Sequence, residues 1–232
     1  LQKLAISDLD KPLGSLTYTQ FLNQSAGIES DVTVCRIDED HFRIISGTSF
    51  VSNDIGWIKM HAQKGYDVTI KDVTDEFACL SLFGPNARRV LEKITGDDIS
   101  NEAFAYLTAK YLDIQGVKVW AQRVSYTGEL GWELYIANAD ALKIWDAIMD
   151  SGSQFDITPI GYKALDGLRI EKGYLYWSGD ISPGDNPLEA GLGFCVDFTK
   201  DDFIGKDALL KIRQAGLKKK LCGLTLDADY RL

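Results

Sequence analysis

The stretch SYTGELGWELY, residues 125–135, alternates in character once past Gly131. Glu133 and Tyr135 fall on one face of a strand, while Trp132, Leu134 and the following Ile136 take the other. Gly128 and Gly131 let the chain turn tightly between Tyr126 and that strand. A carboxylate and a phenol side by side on a strand can be a binding pair or simply a half-exposed surface pair. The strand alone leaves both readings open.

Immediately before it, AKYLDIQGVKVWAQRV (109–124) reads as two strand runs flanking a Gln115–Gly116 turn. Upstream, short strand candidates bounded by Gly, Asp, Asn or Pro occur at TYTQFLN (17–23), SDVTVCRI (30–37), HFRIIS (41–46), VTIKDVT (68–74) and FACLSLFG (77–84). Helices are expected at 52–65 with Gly65 as stop, at 84–96 capped by Gly96, and at 139–152. A further helix is expected from Thr158 as N-cap and Pro159 at the first position to Gly173, with Ala164, Leu165 and Leu168 as its apolar stripe. Helices laid on antiparallel sheets make the fold α+β. FIGKDALLKIRQAG (203–216) starts a new unit that leads into a final strand.

Composition removes several classes of function. The 232 residues suit one large domain or two lobes with a shared core. A net charge of −9 argues against a nucleic-acid or anionic-membrane surface, and the run Lys218–Lys220 reads as a solvated turn. Four scattered cysteines without a CxxC pair, and only two histidines, disfavour a structural zinc site or a disulfide framework. No apolar run reaches the roughly eighteen residues of a membrane span. No GxGxxG occurs, so a dinucleotide fold for FAD is not expected in this chain. The first residues lack a starting Met and the last write a strand without a partner, so both ends are expected to lie inside a larger protein.

Two further segments bear on chemistry. In AGIESDVTV (26–34), Val32 and Val34 take one face of a strand, and Asp31, Thr33 and Cys35 the other. Asp is a poor strand former, so Asp31 either closes a turn or is held for a reaction. Residues 173–209 carry eight glycines and prolines around Tyr174, Tyr176 and Trp177, a pattern that reads as a long ordered loop wrapping a site. Cys195 reads as a small core residue, and Arg169 with Glu171 as a surface ion pair.

Taken together, GIESDVTV, YTGELGWELY, LRIEKGY, the W-S-G-D-I run, PLEAGLGF and FIGKDAL resemble the glycine-cleavage T-protein (aminomethyltransferase) superfamily. The resemblance covers nearly the whole chain. It is nearest to the folate-binding module fused to dimethylglycine and sarcosine dehydrogenases and oxidases. It implies an aminomethyltransferase fold over residues 1–202, lacking its N-terminal part, followed at 203–232 by the start of a C-terminal barrel. It also implies tetrahydrofolate as ligand, an N-methyl amine as donor, and FAD only in a fused domain or associated subunit. By the same resemblance Asp31 is the catalytic residue, and Tyr18, Thr33, Glu133 and Tyr135 contact folate, with no metal. The implied compartment is cytoplasmic, or the mitochondrial matrix in a eukaryote.

These residues suit that ligand. A reduced pterin presents a 2-amino group and a ring N–H side by side, and a carboxylate accepts both in a charge-assisted fork. Flat-ring burial against tyrosines adds stacking of order 1 kcal/mol per contact. A carboxylate near the folate nitrogens can accept the amine's proton and stabilise positive charge at the carbon under attack. The T-protein has an Arg where this chain has Leu165, which favours the dehydrogenase-fused branch. Ala26 stands where a Gly is usual and fits only if its φ is negative. Two other functions stay in view: a redox-neutral folate-dependent methyltransferase or demethylase, and a folate-binding protein without transferase chemistry.

Overall fold

The computed structural model describes residues 1–62 and 67–225, which form two compact units. One comprises Leu9–Tyr18 and Val32–Tyr174, the other Leu1–Asp8, Thr19–Asp31 and Leu175–Leu232. In chain order the elements are β1 (Leu16–Leu22), β2 (Ile28–Arg36), β3 (Phe42–Ile45), α1 (Val51–His61), β4 (Phe77–Phe83), α2 (Ala87–Leu91), β5 (Ala109–Ile114), β6 (Val117–Gln122), β7 (Gly131–Ala137), α3 (Ala141–Gly152), α4 (Tyr162–Lys172) and α5 (Lys206–Ala215). They make a three-stranded sheet ordered β1-β2-β3 and a four-stranded sheet ordered β4-β7-β6-β5. The expected α+β class with antiparallel sheets and packed helices holds. No closed barrel forms among the described residues. No helix among them is long and apolar enough to cross a membrane.

The four-stranded sheet is antiparallel throughout, and its register sorts side chains into two faces. On one face Trp132, Leu134 and Ile136 are fully buried, in a cluster with Leu82, Leu112, Ile114, Val117, Val119 and Ala121 from the neighbouring strands. Val90 and Leu91 of α2 and Ile144 and Ile148 of α3 close this core. Because alternation is strict, the same packing forces Glu133 and Tyr135 to the opposite face. Gly131 starts β7 where a Cβ would stand 2.2 Å from the carbonyl oxygen of Leu82, so no larger residue enters the strand there. Gln115 and Gly116, at φ +54° and +77°, form the expected β5–β6 turn.

The other unit contains the β1–β2 hairpin turn and the long segment after Tyr174. Between Gly173 and Gly205 the regular structure described is a single 3-10 turn, Gly193–Cys195, so the expected long loop is present. It is tied down by specific bonds. Trp177 Nε1 donates to the Ile28 carbonyl at 3.1 Å, and the Ile28 amide donates to the Asp185 carbonyl at 3.0 Å. Lys200 Nζ donates to the carbonyls of Gln2, Ala5 and Ser7 at 2.6, 2.6 and 3.0 Å, anchoring the first residues.

Several local expectations differ from the structure. Residues 68–73 form no strand, because Asp72 instead caps a tight turn, accepting from the Thr74 amide and hydroxyl at 2.9 and 2.7 Å. The α2 helix stops at Leu91 rather than Gly96, since Thr95 is taken into a bridge with Ile114 and Ile94 is buried. The α4 helix starts after Gly161, not Thr158, whose hydroxyl donates to the Asp156 carbonyl. On α4, Ala164 is exposed, whereas Arg169 is buried and pairs with Asp166 at 2.8 Å rather than with Glu171. No strand forms over 221–225; the rest of that expected strand, and Gly65, lie outside the described residues.

Candidate functional site

The face of the four-stranded sheet turned away from the helices carries two rows of paired residues. One row runs Cys79, Tyr135, Trp120, Tyr111, and the other Ser81, Glu133, Gln122, Ala109. Side chains directly opposite on antiparallel strands stand about 4.5–5.5 Å apart at Cβ, so each row is a contact line. Tyr135 donates its hydroxyl to Glu133 Oε2 at 2.9 Å. Burial raises the Glu133 carboxyl above its ordinary range, and the Tyr135 bond only partly opposes this. Burial, and then the neighbouring Glu133 charge, likewise push the Tyr135 hydroxyl up.

This face also collects polar atoms without hydrogen-bond partners among the described residues. Gln122 is 1% exposed, and neither its Nε2 nor its Oε1 is bonded. Trp120 Nε1 and Arg43 Nη1 are in the same condition. The Arg43 guanidinium lies 4.9 Å from the Phe77 ring centroid and 5.8 Å from those of Trp120 and Tyr135. A buried polar group left unpaired costs roughly 1–3 kcal/mol, so four such atoms on and beside this face are uneconomical for folding alone. They fit a flat heterocycle with its own donors and acceptors.

Among the residues singled out from sequence, Glu133 and Tyr135 are joined by a direct hydrogen bond. Thr33 stands opposite Ile45 on β3, and Ile45 packs in the same apolar cluster as Tyr135 and Trp120. Tyr18 is half-buried on β1, two residues beyond Leu16 of that cluster. Asp31 belongs to the other unit. There Gln20, fully buried, donates Nε2 to Asp31 Oδ1 at 2.7 Å, which fixes the carboxylate's orientation. The Cys195 thiol is pushed up to about 12 by burial and then by the Asp31 charge. Asp31 therefore does not close the turn. That role falls to Asn23, whose Oδ1 accepts from the Ser25 and Gly27 amides at 2.9 Å and whose Nδ2 donates to Glu29 at 2.8 Å.

Gln20, Arg43, Trp120 and Gln122 were not foreseen. Their sequence signal is weak, because only the cross-strand register reveals what they face. The β6–β7 register is set across an eight-residue connection rather than by a tight turn.

Comparison with known proteins gives the chain a family and a structural neighbour. The GCVT N-terminal domain family matches residues 1–200. The chain belongs to that family. It is 41% identical over 219 residues to human mitochondrial dimethylglycine dehydrogenase, covering 94% of this chain and 25% of that protein. It is 36% identical over 227 residues to an aminomethyltransferase of Halothermothrix orenii, covering 97% of this chain and 62% of that protein. Among solved structures, the glycine cleavage system aminomethyltransferase T of Bartonella henselae superposes with a TM-score of 0.78 at 25% identity, over 93% of this chain and 58% of that one. The GCVT chain thus spans a quarter of its dehydrogenase relative and under two thirds of its transferase relative. Its named relatives are enzymes.

Proposed function

We propose that this chain is the folate-binding part of a one-carbon transferase that loads tetrahydrofolate with a methylene group. The observation that carries the reading is Glu133: a carboxylate raised by burial, bonded among the described residues only by Tyr135, and paired across the strands with Gln122, whose amide is buried and unbonded. The 2-amino group and adjacent ring N–H of a reduced pterin would supply the two donors such a carboxylate needs. Tyr135 orients the carboxylate and, with Tyr18 and Thr33, lines the folate.

The donor in this proposal is an N-methyl amine of the sarcosine or dimethylglycine type, oxidised to an iminium by a flavin domain outside this chain. Tetrahydrofolate supplies two nucleophilic nitrogens; joining them to the iminium carbon releases the amine and one proton and yields 5,10-methylenetetrahydrofolate. Asp31 accepts that proton and steadies positive charge at the carbon, and Gln20 holds the Asp31 oxygen in place. The family membership and the dehydrogenase relative support this donor class.

Glu133→Gln tests the reading. One acceptor becomes a donor facing donors, so tetrahydrofolate affinity should fall by roughly 1.5–3 kcal/mol. Calorimetric titration under anaerobic conditions would measure this. An affinity equal to wild type would remove Glu133 from the site.

A further inference from the structure

We propose that Gln122 reads the same edge of the pterin as Glu133 and makes the site selective for a 4-oxo ring. This inference rests on the folate reading above. Gln122 pairs directly with Glu133 across β6 and β7, so both side chains leave the same face as neighbours. It is 1% exposed, and both ends of its amide lack partners among the described residues. Folding does not account for it: the β6 residues on the opposite face are Val117, Val119 and Ala121, and an apolar side chain at 122 would have avoided two unpaired groups.

The chemistry of the amide supplies the reason. A carboxylate offers acceptors only, whereas glutamine offers a donor and an acceptor together. The edge of a 4-oxo pterin runs amino group, ring N–H, carbonyl oxygen, that is, two donors and then an acceptor. Glu133 satisfies the two donors, and the carbonyl next to them needs a donor, which Gln122 Nε2 supplies. A 4-amino ring has no ring N–H beside its 2-amino group and places a donor where the carbonyl stood, so Glu133 loses one of its donors and Gln122 Nε2 meets another donor head-on, and the pair distinguishes the two rings.

The test compares wild type, Gln122→Leu and Glu133→Gln for binding of tetrahydrofolate and of its 4-amino counterpart with the same tail, together with thermal melting without ligand. In Gln122→Leu the preference for the 4-oxo ring should shrink about tenfold, while the ligand-free melting temperature rises because two unpaired buried groups are gone. An unchanged preference in Gln122→Leu, with wild type binding tetrahydrofolate and Glu133→Gln impaired, overturns the role of Gln122 and leaves the folate reading standing. A lowered melting temperature with unchanged preference marks Gln122 as structural and also overturns it. Wild type without affinity for tetrahydrofolate overturns both.

Discussion

Tyr135→Phe should move the pH at which folate begins to bind. Its hydroxyl is the hydrogen-bond donor to Glu133, at 2.9 Å, and it opposes the burial that raises the carboxyl. A hydrogen bond to a charged group contributes roughly 1.5–3 kcal/mol, and 1.36 kcal/mol corresponds to one pKa unit. Glu133 is half-buried by exposure, so the lower end applies, and Tyr135→Phe should raise its carboxyl by about one further unit. The sign follows from the form that binds. Protonated Glu133 cannot accept two N–H bonds, so affinity rises with pH through the Glu133 titration and then levels off. In Tyr135→Phe the same rise should come about one pH unit higher, with the plateau close to wild type because the ring stays. The raised folded-state value also means that ionising Glu133 costs stability, which declines from the ordinary carboxylate range up through the raised one, and further in the variant. Anaerobic calorimetric titrations with tetrahydrofolate over a pH series would show this. Coincident midpoints in the two proteins, or affinity falling as pH rises, would refute the reasoning.

Three further outcomes follow from other parts of the chain. Ala26 sits at φ +68° after the turn at Asn23, so Ala26→Gly relieves a left-handed strain of roughly 1–2 kcal/mol against a glycine entropy cost of about 0.5–1 kcal/mol; the midpoint of urea unfolding should rise, and a fall would contradict it. Asp31→Asn keeps an oxygen for Gln20 and should bind folate nearly normally while 5,10-methylenetetrahydrofolate formation drops about 100-fold; lost binding with normal turnover of the remaining complex would make Asp31 a binding residue. Lys200→Met removes a donor shared by three carbonyls of the first residues and should lower unfolding stability by about 1–3 kcal/mol, whereas an unchanged denaturation curve would show that water replaces it fully.

The architecture was largely legible where alternation was long and one face was fully apolar. In β7, Trp132, Leu134 and Ile136 pick the core side, and Glu133 and Tyr135 follow to the other. Where a short polar side chain competes for the backbone, the pattern misleads: Asp72 and Thr74 override the alternation begun by Val68 and Ile70. Ala26 shows a different limit. The chain keeps φ positive there, contrary to the negative φ expected for Ala, because the turn closes on Ala26, whose amide donates to the Asn23 carbonyl at 3.0 Å while the Asn23 amide donates to the Gly27 carbonyl at 2.9 Å. The partners of the site were less legible than its acids. Gln122 looks like any strand glutamine until the register sets it opposite Glu133, and Arg43 looks like a surface cation until its guanidinium is found among Phe77, Trp120 and Tyr135.

The most direct test of the central claim is an experimental structure of this chain with tetrahydrofolate bound. In that complex the pterin's 2-amino group and ring N–H should sit on the two oxygens of Glu133, at about 2.7–2.9 Å, with the ring over the face that carries Tyr135 and Trp120. A pterin held elsewhere, with Glu133 still bonded only by Tyr135, would contradict it.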